Sequence, residues 1–382
     1  MSKHPDVLII GAGVIGCAAA YFLGKEHGLR CLVVERNAIG SEASGGAAGE
    51  LSPFDRLKGS AATSQAYLDF CQDGVRAHRE AYPALAEESG IDYRLRRMRM
   101  VRPAFDVAEV EAMQAEVSAQ RAIGAPAEWL DGPAAQDAAP WLPPHVLGAC
   151  YNPDEAQLET YLFALALAQA AERFGATIVS GEAVGLERRG QRATGARLAD
   201  GRTVEAGAVI LATGPWLRFA SEWIGVPIPV EPARGQIVHL DVTTPLPDYA
   251  IFHSSGYVLP KLDGRVYIGT TVEYVGFDRS TTAEARAAIV DAALGLAPAL
   301  ADAREVETTA CLRPMSTADG LPIVGAAPGW DGLFLAGGHG RKGILLSLTT
   351  GKRLAQAIAT GRGGPSLKAF APDRLLARKD SL

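Results

Sequence analysis

The sequence predicts an α/β protein in which a parallel-sheet domain is interrupted by a second domain built on an antiparallel sheet plus helices. Three observations carry that prediction. Val7 to Ile10 is an apolar run with no polar face, as expected of a strand buried on both sides of a parallel sheet, and Gly11-Ala-Gly-Val-Ile-Gly16 and an apolar helix from Ala18 to Leu23 follow at once. Between residues 226 and 310 the texture changes to alternating strands, the pattern of half-buried antiparallel sheet. Finally, Leu333 to Gly343 reads as a strand and a glycine-rich turn leading into a helix from about Ile344 to Thr360. The two ends of the chain therefore share one α/β domain, with the antiparallel domain inserted.

The first segment carries chemistry as well as structure. In G-x-G-x-x-G, Gly11 makes the tight turn, Gly13 lets a pyrophosphate approach the backbone and Gly16 allows close helix–strand packing. The phosphates would sit at the helix N-terminus, where free N–H groups and the positive dipole end converge. Three glycines in six residues are weak evidence in a chain with 42 of them, but the context strengthens the signal. Leu29 to Val34 reads as the second strand and ends in Glu35, about 20 residues beyond the glycines, where such units place the acid that binds a ribose hydroxyl. The segment reads as a Rossmann-like dinucleotide-binding unit, the alternative being an αβ turn whose glycines serve packing alone.

After Glu35 and Arg36, residues 39–53 are almost without bulky side chains, so the backbone can lie flat against a ligand and present its amides. Helical periodicity covers 61–90 and 107–124, with a strand from Tyr93 to Pro103 between them, and Pro126 to Pro144 reads as loop. An amphipathic helix from Leu158 to Phe174 precedes strands at Gly175–Val179, Val184–Arg189 and Arg192–Leu198. Ala208 to Trp216 is a further buried strand ending in a glycine turn. In the antiparallel part the strands are Gly235–Leu240, Gly256–Pro260 and Arg265–Gly269.

Composition is that of an ordinary globular chain, 48% hydrophobic and 21% charged over 382 residues. A net charge of −6 argues against nucleic acid, which needs a basic face. The arginines at 94, 96, 97 and 99 read as a solvated strand edge or a local pocket. Five scattered cysteines without a C-x-x-C pair indicate neither a disulfide framework nor a metal site and fit a reducing cytoplasm. No apolar run reaches the 18 or so residues of a membrane span.

Four segments together resemble the D-amino-acid oxidase superfamily of flavoproteins, and within it the glycine oxidase group. They are Gly11–Gly16, Ser41–Leu51, Cys311–Gly325 and Gly337–Leu345, in the family's order and spanning nearly the whole chain. The resemblance implies FAD, held by Gly11, Gly13, Val14, Ile15 and Gly16, by Glu35 and Arg36, and by Ala43, Ser44, Ala48, Gly49, Glu50 and Leu51. Val184 and the run His339, Gly340, Arg341, Lys342, Gly343, Ile344 and Leu345 complete the implied set. It also implies that Arg313, in the L-R-P motif, anchors a substrate carboxylate with help from Tyr257, and that Arg341 stands at the mouth of the site. A planar guanidinium gives two parallel charge-assisted bonds to a carboxylate. From the residues alone, the alternatives are a core-edge ion pair for Arg313, an ordinary strand aromatic for Tyr257, and a brace for the loop or an exposed charge for Arg341. Two departures stand out. Glu50 replaces a methionine common in glycine oxidases, and Cys311 stands where sarcosine oxidases carry a flavin-linking cysteine, although here it precedes L-R-P. Non-covalent FAD is the expectation.

The implied activity is oxidative deamination of glycine or a related small amino acid or N-substituted glycine. Hydride passes from Cα to flavin N5, and O2 then accepts the electrons to give H2O2. Two alternatives stay open: a dehydrogenase of D-amino acids or hydroxy acids that reduces a quinone or carrier protein, and a non-catalytic flavin-binding subunit. The expected division is 1–88, 145–222 and 310–382 for the FAD-binding domain, with 89–144 and 223–309 binding substrate. The resemblance points to self-association as a homo-oligomer.

Overall fold

The computed structural model describes residues 4–54, 65–361 and 365–376. The parallel domain holds a six-stranded sheet in the order Ile323–Ala326, Leu333–Gly337, Ala208–Leu211, Val7–Ile10, Cys31–Glu35, Thr177–Ser180, with only the first of these antiparallel to its neighbour. The run Val7–Ile10 has no polar face because it has no solvent face. Val7 and Ile9 enter one core with the helices Val14–His27, Gln65–Ser89, Thr160–Arg173 and Gly343–Thr360, whereas Leu8 and Ile10 enter a second core. That second core is covered by a small three-stranded sheet, Ala183–Arg189, Arg192–Leu198 and Thr203–Glu205. The predicted helix over 61–90 is seen as Gln65–Ser89; its expected first residues, 61–64, lie outside the described residues.

The second sheet has eight strands in the order Arg304–Ser316, Val230–Asp241, Arg265–Gly269, Gly256–Pro260, Tyr249–His253, Arg96–Ala104, Gly148–Gln157, Glu128–Asp131. It is mixed rather than wholly antiparallel, because Tyr249–His253 runs parallel to Arg96–Ala104. One face packs on the helix Ala283–Leu296 through Val238, Leu240, Val258 and Ile268 against Ile289, Ala293 and Leu296. The other face carries Met98, Met100, Ile237, Tyr257 and Leu259 and looks toward Ala48 of the parallel domain. The site lies between the two sheets.

Three local expectations are corrected. Residues 126–144 are not all loop, since they hold the strand Glu128–Asp131 and the helix Gly132–Ala138, which Asp131 caps by accepting from the Ala134 amide. The stretch 226–310 is not only strands, since the helix Ala283–Leu296 lies within it. Gly148–Gln157 and Arg304–Ser316 both pair in the eight-stranded sheet, although boundaries at 145 and 310 put the first, and the end of the second, with the parallel domain. The pattern of 148–157 hides its membership because Asn152, Glu155 and Gln157 point inward. Distant partners make that burial tolerable: Gln120 accepts from Asn152 at 2.9 Å, Pro260 O accepts from Gln157 at 2.9 Å, and Arg102 pairs with Glu155 at 2.9 Å.

Candidate active site

Local backbone demands build the cofactor end of the site. Gly11 has φ +106°, and a Cβ there would stand 2.5 Å from Ala212 O; at Gly16 a Cβ would stand 2.0 Å from Gly11 O. Only glycine lets the turn close and the helix begin that near the strand. The helix Val14–His27 has no acidic residue in its first turn, and Gly13 supplies no side-chain cap; Ser44 takes that part, accepting from the Val14 amide at 3.1 Å. Glu35 accepts from the amides of Ala12 at 2.8 Å and Asn37 at 2.9 Å, which fixes its carboxylate at the end of the second strand. Beside it the Arg36 guanidinium stacks 3.9 Å over Trp216, whose ring continues into Phe277.

The small-residue loop is turned inside out with respect to its hydrogen bonds. Thr160 donates to Gly45 O and Ala47 O, Cys311 to Gly46 O, and the buried Lys261 ammonium to Ala48 O and Leu158 O. With the carbonyls so occupied, no hydrogen bond among the described residues takes up the amides of Ala47, Ala48 or Gly49, and all three residues line the central cavity.

That cavity holds about 1790 Å³ and runs from Gly11 and Glu35, past the small-residue loop, to the inner face of the eight-stranded sheet. At its far end are Tyr257 and Arg313. Arg313 donates from Nη1 to Thr271 O at 3.0 Å and from Nη2 to Thr270 Oγ1 at 2.8 Å, and no carboxylate among the described residues pairs with it. Its guanidinium lies directly over Gly235, where a Cβ would be 2.1 Å from both terminal nitrogens. Tyr257 is buried with its hydroxyl unpartnered. Burial, and next the charge of Glu50, hold the phenol far above its ordinary range, while Arg313 pulls the other way. Glu50 and Arg313 thus act on the Tyr257 phenol in opposite directions at one end of the cavity.

The other residues expected at the site divide by position. Val14, Ile15, Ala43, Ser44, Val184, Gly340, Arg341, Lys342, Gly343 and Ile344 also line the cavity, Arg341 being exposed. Lys342 is buried and donates to Ser52 O at 2.9 Å. His339 borders the cavity, but its ring is paired with Thr350 Oγ1 at 3.1 Å, and burial lowers its pKa to about 3, so it is a neutral structural group. Leu51 and Leu345 put their side chains into the hydrophobic core instead, and the Leu51 amide already donates to Ala156 O at 2.7 Å. Gly235, Thr270, Thr271, Trp216 and Lys261 were not anticipated. Thr270 and Thr271 lie in a segment, Gly269–Val272, that resembles the family's substrate-domain strands, and Gly235 opens a predicted strand, where glycine marks close approach of another group.

The family model described as FAD-dependent oxidoreductase (DAO) matches residues 6–357. The chain belongs to this family. Among curated relatives of this FAD-dependent oxidoreductase, the glycine oxidase of Geobacillus kaustophilus is 33% identical over 364 residues, covering 94% of each chain, and the glycine oxidase of Pseudomonas aeruginosa is 31% identical, covering 92% of this chain and 94% of its own. The crystal structure of glycine oxidase from Geobacillus kaustophilus superposes with a TM-score of 0.89 at 30% identity, covering 97% of this chain and 98% of the other. The site fits the cofactor of an FAD-dependent oxidoreductase. The glycine cradle, the three amides left for a ligand and the fixed Glu35 carboxylate form one continuous wall of a cavity large enough for a dinucleotide. Among the described residues no helix is long and apolar enough to cross a membrane and no cluster could hold a metal ion.

Proposed function

We propose that this FAD-dependent oxidoreductase oxidatively deaminates glycine or a closely related small amino acid or N-substituted glycine, with O2 as electron acceptor. The observation that carries the reading is the pairing of Arg313, a cation with no carboxylate partner among the described residues, with the orphaned Tyr257 hydroxyl in the same cavity. A buried donor without an acceptor is costly, so a ligand that supplies one is favoured. One small carboxylate satisfies both: the free N–H groups of Arg313 bind it as a fork and Tyr257 donates to it.

Bound FAD supplies the two-electron acceptor. The chain's own residues hold and orient. Arg313 and Tyr257 fix the carboxylate and hence the direction of the Cα–H bond, and Ile237, backed by the buried Met98 and Met100, makes that part of the wall apolar. Glu50 lines the same cavity as Arg313 and Tyr257. Cys311 is engaged with Gly46 O, and burial raises its pKa, which keeps it a thiol and supports non-covalent FAD. All five cysteines are free and buried, in keeping with a reducing, cytoplasmic setting.

The test is anaerobic mixing of purified protein with glycine, sarcosine and D-alanine while flavin absorbance is followed, then readmission of O2 and measurement of peroxide. Rapid bleaching with stoichiometric peroxide is expected. Failure of every carboxylate-bearing amine to bleach the flavin refutes the reading; bleaching without peroxide assigns a carrier acceptor instead.

A further inference from the structure

We propose that Glu273, held by Arg234, is a positioning residue for the guanidinium of Arg313 and acts on it through Thr271. The inference rests on the reading of Arg313 as the substrate-carboxylate site and goes beyond it by naming what aims that group.

Both terminal nitrogens of Arg313 are tethered to the short turn after the strand Arg265–Gly269, through Thr271 O and Thr270 Oγ1. The direction of the free N–H groups is therefore set by where this turn sits. Two residues of the strand Val230–Asp241 hold it. Arg234 and Glu273 exchange backbone bonds in both directions, at 2.8 and 3.0 Å, and Gln236 receives Thr270 Oγ1 on its carbonyl and gives its amide to Thr271 Oγ1. The Glu273 carboxylate then gathers four donors: Arg234 Nε at 3.2 Å and Nη2 at 3.0 Å, Gln236 Nε2 at 2.9 Å and Thr271 Oγ1 at 2.7 Å. Arg234 is itself buried and is braced from the other side by Asp278 and Ser280.

The carboxylate thus ties the residue that accepts from Arg313 to a buried cation that cannot move. A bidentate pair with one buried partner, here Arg234, is directional as well as strong. The sequence Arg234-Gly-Gln236 serves one purpose along three successive positions: Arg234 anchors Glu273, Gly235 leaves room for the Arg313 guanidinium, and Gln236 pins both threonines. An amide at position 273 keeps the shape but loses the charge and presents N–H groups to N–H groups, so the turn shifts and the fork with it.

The experiment compares Glu273→Gln and Thr271→Val with wild type. Asp241→Asn serves as a control, since it breaks only an exposed pair with Arg304 at the other end of the same strand. Three readouts are taken on FAD-loaded protein: KM and the limiting rate of flavin reduction with glycine, and the Kd of acetate from the flavin absorbance change. Glu273→Gln should raise both KM and the acetate Kd by about tenfold, within the range that misplacing a binding group by an ångström costs, with the limiting rate within about threefold. Thr271→Val should move both in the same direction, and Asp241→Asn should move neither. Wild-type KM and acetate Kd in FAD-loaded Glu273→Gln and Thr271→Val overturn the proposal, and if Glu273→Gln does not fold, Thr271→Val decides alone. Arg313→Ala is measured alongside. If it also keeps wild-type acetate affinity, the carboxylate-site reading falls and this inference with it; if it alone loses affinity, only the positioning inference falls.

Discussion

Gly235→Ala separates folding from function more sharply than any change to a charged residue of the site. The added Cβ would lie 2.1 Å from Nη1 and Nη2 of Arg313, where ordinary contact begins at 3.4 Å, so the guanidinium must retreat by 3.4 − 2.1 = 1.3 Å or the strands must part. Around Gly235 the strand is paired with Arg304–Ser316 on one side and bridged at Arg234 to Glu273 on the other, whereas the guanidinium is the end of a long side chain, so the arginine yields. Gly235 has ordinary strand backbone, so alanine is tolerated there and is worth roughly 0.5–1 kcal/mol in chain entropy. Thermal stability should therefore be kept while kcat/KM for glycine falls about 10²-fold, the cost of misplacing a binding group by about an ångström. The assay is peroxide production with melting curves on the same preparations. In an Arg313→Ala background the same substitution should add less than about threefold, because its target is gone. Wild-type efficiency in Gly235→Ala, or an equal loss in both backgrounds, refutes the reasoning.

Arg313→Ala should leave FAD bound and lower kcat/KM by roughly 30-fold to several thousand-fold, from the ~2–5 kcal/mol of losing one partner of a buried charge pair; near-normal efficiency would show that the carboxylate is held elsewhere. Tyr257→Phe removes one hydrogen bond of about 0.5–1.5 kcal/mol and should cost roughly 2- to 13-fold in kcat/KM, with an unchanged value marking the hydroxyl as idle in the complex. Burial lowers the pKa of His339 to about 3 and of His78 to about 4, below the ordinary 6.5. Both are neutral when folded while the unfolded chain binds protons, so their contribution is full above 6.5 and is lost as pH falls toward those values. Tm should drop between about pH 7 and about pH 5, and less steeply in His339→Gln; parallel curves would rule this histidine out as a source of the acid sensitivity. Acid precipitation should release the yellow cofactor into the supernatant, whereas colour that stays with the pellet and disappears in Cys311→Ser would establish a thioether.

The parts legible from sequence alone were those that a short stretch of chain determines. Val7–Ile10 is uniformly apolar because both its faces are buried, Gly11 is demanded by the positive φ of its own turn and Gly16 by a contact five residues back, and the strand–turn–helix at Leu333–Thr360 repeats that local logic. The resemblance singled out Arg313 and Tyr257 and marked Glu50 as a departure, and all three line the central cavity. Tertiary structure alone decided which sheet each strand joins and which way each side chain turns. Gly148–Gln157 carries inward polar residues whose partners are Gln120, Arg102 and Pro260, so its periodicity could not reveal its place. Leu51 and Leu345 sit among cofactor-contact segments yet face the core, and His339 faces Thr350, because rotation about the chain axis is set by packing across the domain. The support of Arg313 depends on strand register, which brings Gly235 opposite Cys311 and Arg234 against Glu273, and no spacing along the chain encodes that meeting.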